Sequence, residues 1–131
     1  MMEGQPRQTI LIVDNDERVL RVIDGLLANA GFDTWTASAG HAALDLLQSQ
    51  EYDLVLLADH LDDFSVDGFL KALQRFPTLP SVILMQSDPL RSWDVGPYRP
   101  LGASRAVNKW RPCEVLGAAN EVLSSGRPNE N

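Results

Sequence analysis

Apolar runs of strand length alternate along the chain with segments whose apolar residues recur every three or four positions. Thr9–Val13 (TILIV) is a continuous apolar run rich in β-branched residues and reads as a strand. Val19, Leu20, Ile23, Leu26, Leu27 and Ala30 then fall on one stripe of a helix closed by Gly31. Phe32–Ala37 alternates as a short strand, and Ser38 is placed to cap a second helix with Ala43, Leu44 and Leu47 inward. Leu54–Leu57 is the third strand. A third helix, Val66–Phe76, carries Phe69, Leu70, Leu73 and Phe76 on one face and is stopped by Pro77. Ser81–Met85 is the fourth strand. Between Asp88 and Gly102 the pattern breaks. Pro89, Pro97 and Pro100, with Gly96, leave room for one short turn near Leu90–Val95 at most, because an interior proline costs a helix about 3 kcal/mol. Ala103–Val107 is a weak fifth strand, and Pro112 opens a last helix with Val115, Leu116, Ala119, Val122 and Leu123 inward.

Continuous apolar strands alternating with amphipathic helices predict an α/β fold, a parallel sheet with helices on both faces. The expected organisation is a flexible N-terminus over 1–8, one domain over 9–124 and a loose tail over 125–131. In such sheets the working crevice lies at the carboxyl ends of the strands. That edge collects Asp14, Asn15 and Asp16 after the first strand, Ala58 and Asp59 after the third, Gln86–Asp88 after the fourth and Lys109 after the fifth.

Composition narrows the function classes. A chain of 131 residues is one domain by length. No apolar stretch approaches the ~20 residues of a membrane span, and the opening MMEGQPRQ lacks the layout of a signal peptide. The expected compartment is the cytoplasm, which the lone Cys113 suits because it can form no internal disulfide. Charge is uneven: residues 1–68 hold 13 acids against three bases, and residues 69–131 hold five against eight. A net charge of −7 argues against a nucleic-acid partner, and the acid-rich half suggests a cation site or a solvated surface.

Several stretches together resemble the receiver domain of response regulators, the phosphorylatable module of two-component signalling. They are ILIVDND at 10–16, AGF at 30–32, ASAGHAALDLL at 37–47, YDLVLL at 52–57, VDG at 66–68, LPSVILM at 79–85 and GASRAVNK at 102–109. The resemblance implies a flavodoxin-like (βα)5 fold with a five-stranded parallel sheet. It also implies a set of site residues: an acidic pair that holds Mg2+, an aspartate that accepts the phosphoryl group, a Thr or Ser and a Lys that bind its oxygens, and a switch aromatic.

Carried over position by position, most of that set is replaced. Asp14 stands at the first acid, but Asn15 stands at the second, which keeps an oxygen and loses the charge. Ala58 stands at the phosphoacceptor. Gln86 or Met85 stands where the hydroxyl is implied, with Ser87 adjacent, and Ala106 replaces the aromatic. Lys109 is retained, but Trp110 follows it in place of a proline that is typically cis in the family. A cis bond before Trp would cost about 2.5–4 kcal/mol, so a trans peptide is expected. The stretch from Ala58 to Gly68 is two residues longer than the resemblance implies, with the insertion around Asp62–Ser65, and the helix implied between the fourth and fifth strands is degenerate. The expectation is an atypical, pseudo-receiver, stand-alone signalling protein, not an enzyme. It is not phosphorylated at the usual position and acts through protein contacts with a histidine kinase, a phosphotransferase or another regulator, or as a homodimer.

Other readings of the same residues stay open. Asp59 is a substitute acceptor if the insertion turns it into the pocket, with Asp14 and Asp59 then holding a weakly bound Mg2+. Strand alternation points it away. Without phosphate, Lys109 is expected to pair with Asp14 or Asp16. His60 is a lone loop histidine, and His41 lies on a solvent-facing helix start. Trp93, Tyr98 and Trp110, interleaved with Arg91, Arg99 and Arg111, either patch the core left open by the missing helix or form a partner surface. Asp14-x-Asp16 also resembles the nucleophile motif of small haloacid-dehalogenase-like phosphatases, in which Lys109 would hold the phosphate.

Overall fold

Every residue of the third strand is buried, so both of its faces must be covered. In the computed structural model, which describes residues 7–88 and 94–125, that strand lies at the centre of one five-stranded parallel sheet of order β2-β1-β3-β4-β5. The elements run β1 (Thr9–Val13), α1 (Glu17–Asn29), β2 (Asp33–Ala37), α2 (Gly40–Ser49), β3 (Leu54–Ala58) and α3 (Val66–Leu73). They continue with β4 (Ser81–Gln86), a 3-10 turn (Gly96–Leu101), β5 (Ala103–Asn108) and α4 (Pro112–Ser125). The expected flexible segments 1–8 and 125–131 fall almost entirely outside the described residues, as does Trp93.

Alternation along the strands divides the core in two. Ile10, Ile12, Leu54, Leu56, Ile83 and Met85 pack with Val19, Ile23 and Leu27 of α1 and with Val115, Ala119 and Val122 of α4. Leu11, Val13, Val55, Leu57, Val82 and Leu84 face the other way, onto Ala43 and Leu47 of α2 and Phe69, Leu70 and Leu73 of α3. Ala58 belongs to this second layer and is fully buried.

Two expectations are corrected. The third helix ends at Leu73 rather than Phe76. The N–H groups of Gln74, Arg75 and Phe76 reach back three residues, to Lys71, Ala72 and Leu73, tightening the chain before Pro77. The short turn expected near Leu90–Val95 falls mostly outside the described residues, and the described part of that connection forms a 3-10 turn at Gly96–Leu101. Pro97 enters it at the helix start, where no N–H is needed, and Gly102 ends it at φ +107° before β5.

The second correction concerns the start of α2. Ser38 does not cap it. Ala39 is the capping residue and offers no side-chain bond. The carboxylate of Asp63, from the inserted stretch, accepts the N–H groups of Gly40 and His41, both at 2.9 Å, and the His41 Nδ1 lies 2.8 Å away. Phe64 stacks against the His41 ring at 4.9 Å and meets Phe69 edge-on at 6.0 Å. A Cβ at residue 40 would collide with the Phe64 ring, so Gly40 is what lets the insertion dock. The two extra residues thus clip the β3–α3 loop to the N-terminus of α2.

The clip carries a pH signature. The His41 and Gly40 backbone N–H groups, with the His41 ring, hold the Asp63 carboxyl down to about 2 from an ordinary 3.8. A depressed carboxyl stabilises the fold above 3.8, and that contribution is lost as pH falls towards 2. Asp63→Ala should therefore be less stable than the parent at pH 7, with the gap closing over that acidic window. Urea midpoints of the two proteins across pH check this; a gap independent of pH would rule the clip out.

Candidate signalling site at the carboxyl edge of the sheet

Four of the five strands, β1, β3, β4 and β5, end at residues that the sequence singles out. β1 delivers Asp14, which is wholly buried, and β5 runs into Lys109, which is 8% exposed. The Lys109 ammonium lies 3.0 Å from Asp14 Oδ2 and 3.4 Å from Oδ1. Asp14 Oδ1 also accepts the Asp16 N–H at 2.9 Å. The first acid and the retained lysine therefore satisfy each other.

Asp16 is spent differently. It caps α1, accepting the Arg18 N–H at 2.9 Å, and its carboxylate also pairs with the Arg18 guanidinium. That side-chain bond to Arg18 draws the Asp16 carboxyl below its usual range. Asn15 is exposed. A phosphatase would need both acids of the Asp-x-Asp pair free to act on a substrate, and here one neutralises a lysine while the other closes a helix.

β3 ends in the buried methyl of Ala58, and Asp59 follows it. The Asp59 N–H continues the ladder to the Met85 carbonyl at 2.9 Å. Its carboxylate turns to the exit of β4, where Oδ2 accepts the Ser87 N–H at 2.9 Å and the Ser87 hydroxyl at 3.1 Å. Among the described residues Asp59 bonds neither Asp14 nor Lys109, and its Oδ1 is buried without a hydrogen bond. Gln86 ends β4, and its carbonyl accepts the Lys109 N–H at 3.0 Å. Ala106 lies within β5 opposite Leu84, half-buried against the second core layer.

The donor set does not make a magnesium cradle. Asp14 is neutralised by Lys109, Asn15 brings no charge, and Asp59 is bound to Ser87. No group of three His, Cys, Asp or Glu among the described residues is arranged to hold a metal. Asp62 and Asp63 of the β3–α3 loop and Asp67 of α3 line with Asp59, His60, Phe64 and Tyr98 an open cleft of about 600 Å3. His60 and Asp62 are both exposed, 3.7 Å apart.

The aromatic residues separate. Tyr98 packs on the second core layer beside Val95, filling space near α3. Trp110 is 49% exposed and follows Lys109 through a trans peptide. Its indole N–H donates to the Ser87 carbonyl at 2.9 Å, and the Lys109 ammonium lies 5.6 Å from its ring centre. Sequence reasoning found Asp14, Ala58 and Lys109 but missed the parts played by Ser87 and Asp63. An acid inside an inserted loop, followed by Phe64, was the available signal for Asp63. None existed for Ser87, whose partners come from two other loops.

The response regulator receiver domain family matches residues 10–111. The heme response regulator HssR of Staphylococcus aureus (strain bovine RF122 / ET3-1) is 33% identical over 82 residues, which is 61% of this chain and 36% of HssR. The match thus spans about a third of that relative's length. A signal receiver domain of an HD domain-containing protein from Pseudomonas fluorescens Pf-5 superposes with a TM-score of 0.77 at 30% identity, covering 92% of this chain and 89% of that one. A two-component response regulator from Clostridium difficile superposes with a TM-score of 0.79 at 22% identity, covering 95% of this chain and all of the other. Among the described residues no helix is long and apolar enough to cross a membrane.

Proposed function

The chain belongs to the response regulator receiver domain family, and on that footing we propose that it signals in a two-component system through protein contacts that do not depend on phosphoryl transfer to the tip of β3. Receiver domains work with histidine kinases and other regulators, and this chain is a receiver-domain signalling protein. The observation that carries the finer reading is Ala58. The position from which the family's nucleophile would attack holds a methyl group packed into the core. Two further features support it: Asp14 is occupied by Lys109, and Ala106 stands at the switch aromatic.

The partner surface we assign is the edge around the exposed Trp110 and Arg111, since Tyr98, also expected there, packs on the second core layer. Exposed aromatic and arginine side chains are the residue types that carry binding energy at protein interfaces. The expected partner is a histidine kinase, a phosphotransferase or another regulator.

A second reading, transfer to Asp59, has one observation in its favour, the buried and unbonded Oδ1. One experiment separates the two. The protein is incubated with Mg2+ and acetyl phosphate beside Asp59→Asn, and both are weighed intact. The expected result is no adduct in either. A single phosphoryl adduct lost in the variant would mean that Asp59 accepts phosphate.

A further inference from the structure

Ser87 is held from both sides. Its N–H and hydroxyl both donate to Asp59 Oδ2, from the β3 side, at 2.9 and 3.1 Å. Its carbonyl accepts the Trp110 indole N–H, from the β5 side, at 2.9 Å. All three of its polar groups are therefore engaged by side chains of two other loops. One residue earlier, the Gln86 carbonyl takes the Lys109 N–H. The Trp110 ring also lies against the Lys109 ammonium that reaches across to Asp14. The ends of β1, β3, β4 and β5 are thereby joined by the side chains of Asp14, Asp59, Lys109 and Trp110 in addition to the backbone bonds of the sheet.

We propose that Asp59, Ser87 and Trp110 form a latch that fixes the exit of β4 in one position with no phosphoryl group, so that this edge of the sheet is held constitutively. This deepens the functional reading above and rests on it. The Ser87 hydroxyl, next to the position where the family's hydroxyl is implied, is taken by Asp59, and Lys109 is taken by Asp14. The polar character of the latch is chemically reasonable. The acceptor is an ionised carboxylate that receives two donors, and charge-assisted bonds of this kind are stronger than neutral ones. The other half is a single neutral bond from the indole, and its half-exposed ring leaves that half accessible from solvent.

A latch differs from two unrelated hydrogen bonds in being coupled: loosening one end must loosen the other by the same factor. Trp110→Phe keeps an aromatic ring and deletes only the indole donor. Asp59→Ala deletes the opposite end. Amide and indole hydrogen exchange, followed by NMR without any phosphodonor, reads both. In Trp110→Phe the Ser87 amide should exchange about five- to tenfold faster, as loss of one net hydrogen bond implies. In Asp59→Ala the Trp110 indole proton should speed up by a similar factor. The amides of Leu56 and Ile83, in the buried strands, should be unchanged in both variants. An unchanged Ser87 amide or indole proton would overturn the latch. So would equal acceleration at Leu56 and Ile83, which would mean general destabilisation. A phosphate adduct in the mass experiment would instead overturn the functional reading and leave the latch of the unmodified protein standing.

Discussion

Lys109→Met should lower the stability of the protein by about 3–5 kcal/mol, the largest loss expected from any single change at the site. The reason is the partner left behind. Asp14 has no exposed surface, and its carboxylate is neutralised by the Lys109 ammonium at 3.0 Å. Methionine keeps most of the unbranched side chain and removes the charge. One donor, the Asp16 N–H, then remains for a buried anion. Pairs of exposed ions are worth ~1 kcal/mol or less, so the size of the loss reports whether the pair behaves as buried. The double variant Asp14→Leu/Lys109→Met should recover most of it, because an apolar pair needs no neutralisation. Urea unfolding of the three proteins measures both effects. A loss under about 1 kcal/mol for Lys109→Met would place the pair in water and remove the argument that Asp14 is unavailable to a cation.

The second large effect is expected from Ala58→Asp, the change that restores a carboxylate at the family's acceptor position. Ala58 is fully buried beside Leu57, Leu61 and Phe69 in the second core layer. Extra atoms there must displace packed neighbours, at about 1–3 kcal/mol, and an unpaired polar group adds about as much again. A destabilisation of about 2–6 kcal/mol at pH 7 follows. Burial raises the pKa of such a carboxyl, so the unfolded chain ionises more readily than the folded one. The deficit should therefore grow as pH rises through the carboxylate range and shrink towards pH 4. Thermal or urea midpoints at several pH values test this. Stability equal to the parent at pH 7 would mean that the tip of β3 still has room and water for an aspartate, and the proposal of a closed site would fall.

Much of the fold was legible because its signals are local. Five apolar runs and four helical stripes need only their own neighbours to be recognised. The β3 run Leu54–Leu57, apolar at every position, already demanded cover on both faces, and both core layers meet there. The helix ends were less legible. α3 stops three residues early because Gln74 to Phe76 tighten ahead of Pro77, and α2 begins without the cap that Ser38 seemed placed to provide. A capping residue is recognised in sequence by its position next to the helix, and Asp63 is 23 residues from the N–H it accepts.

The candidate site divides along the same line. Absences were readable at once, since a methyl at position 58, an amide at 86 and a methyl at 106 are facts of residue type. What the remaining groups do was not. The sequence by itself determined the parallel α/β class, the faces of the helices and the methyl at position 58, because periodicity and side-chain chemistry are properties of short stretches. Only the tertiary structure decided that Lys109 neutralises Asp14 from 95 residues away, that Asp63 closes α2, and that Ser87 is gripped between Asp59 and Trp110. Those pairings depend on strand order and register, which bring the ends of β1, β3, β4 and β5 to one edge, and no local period encodes which side chains meet there.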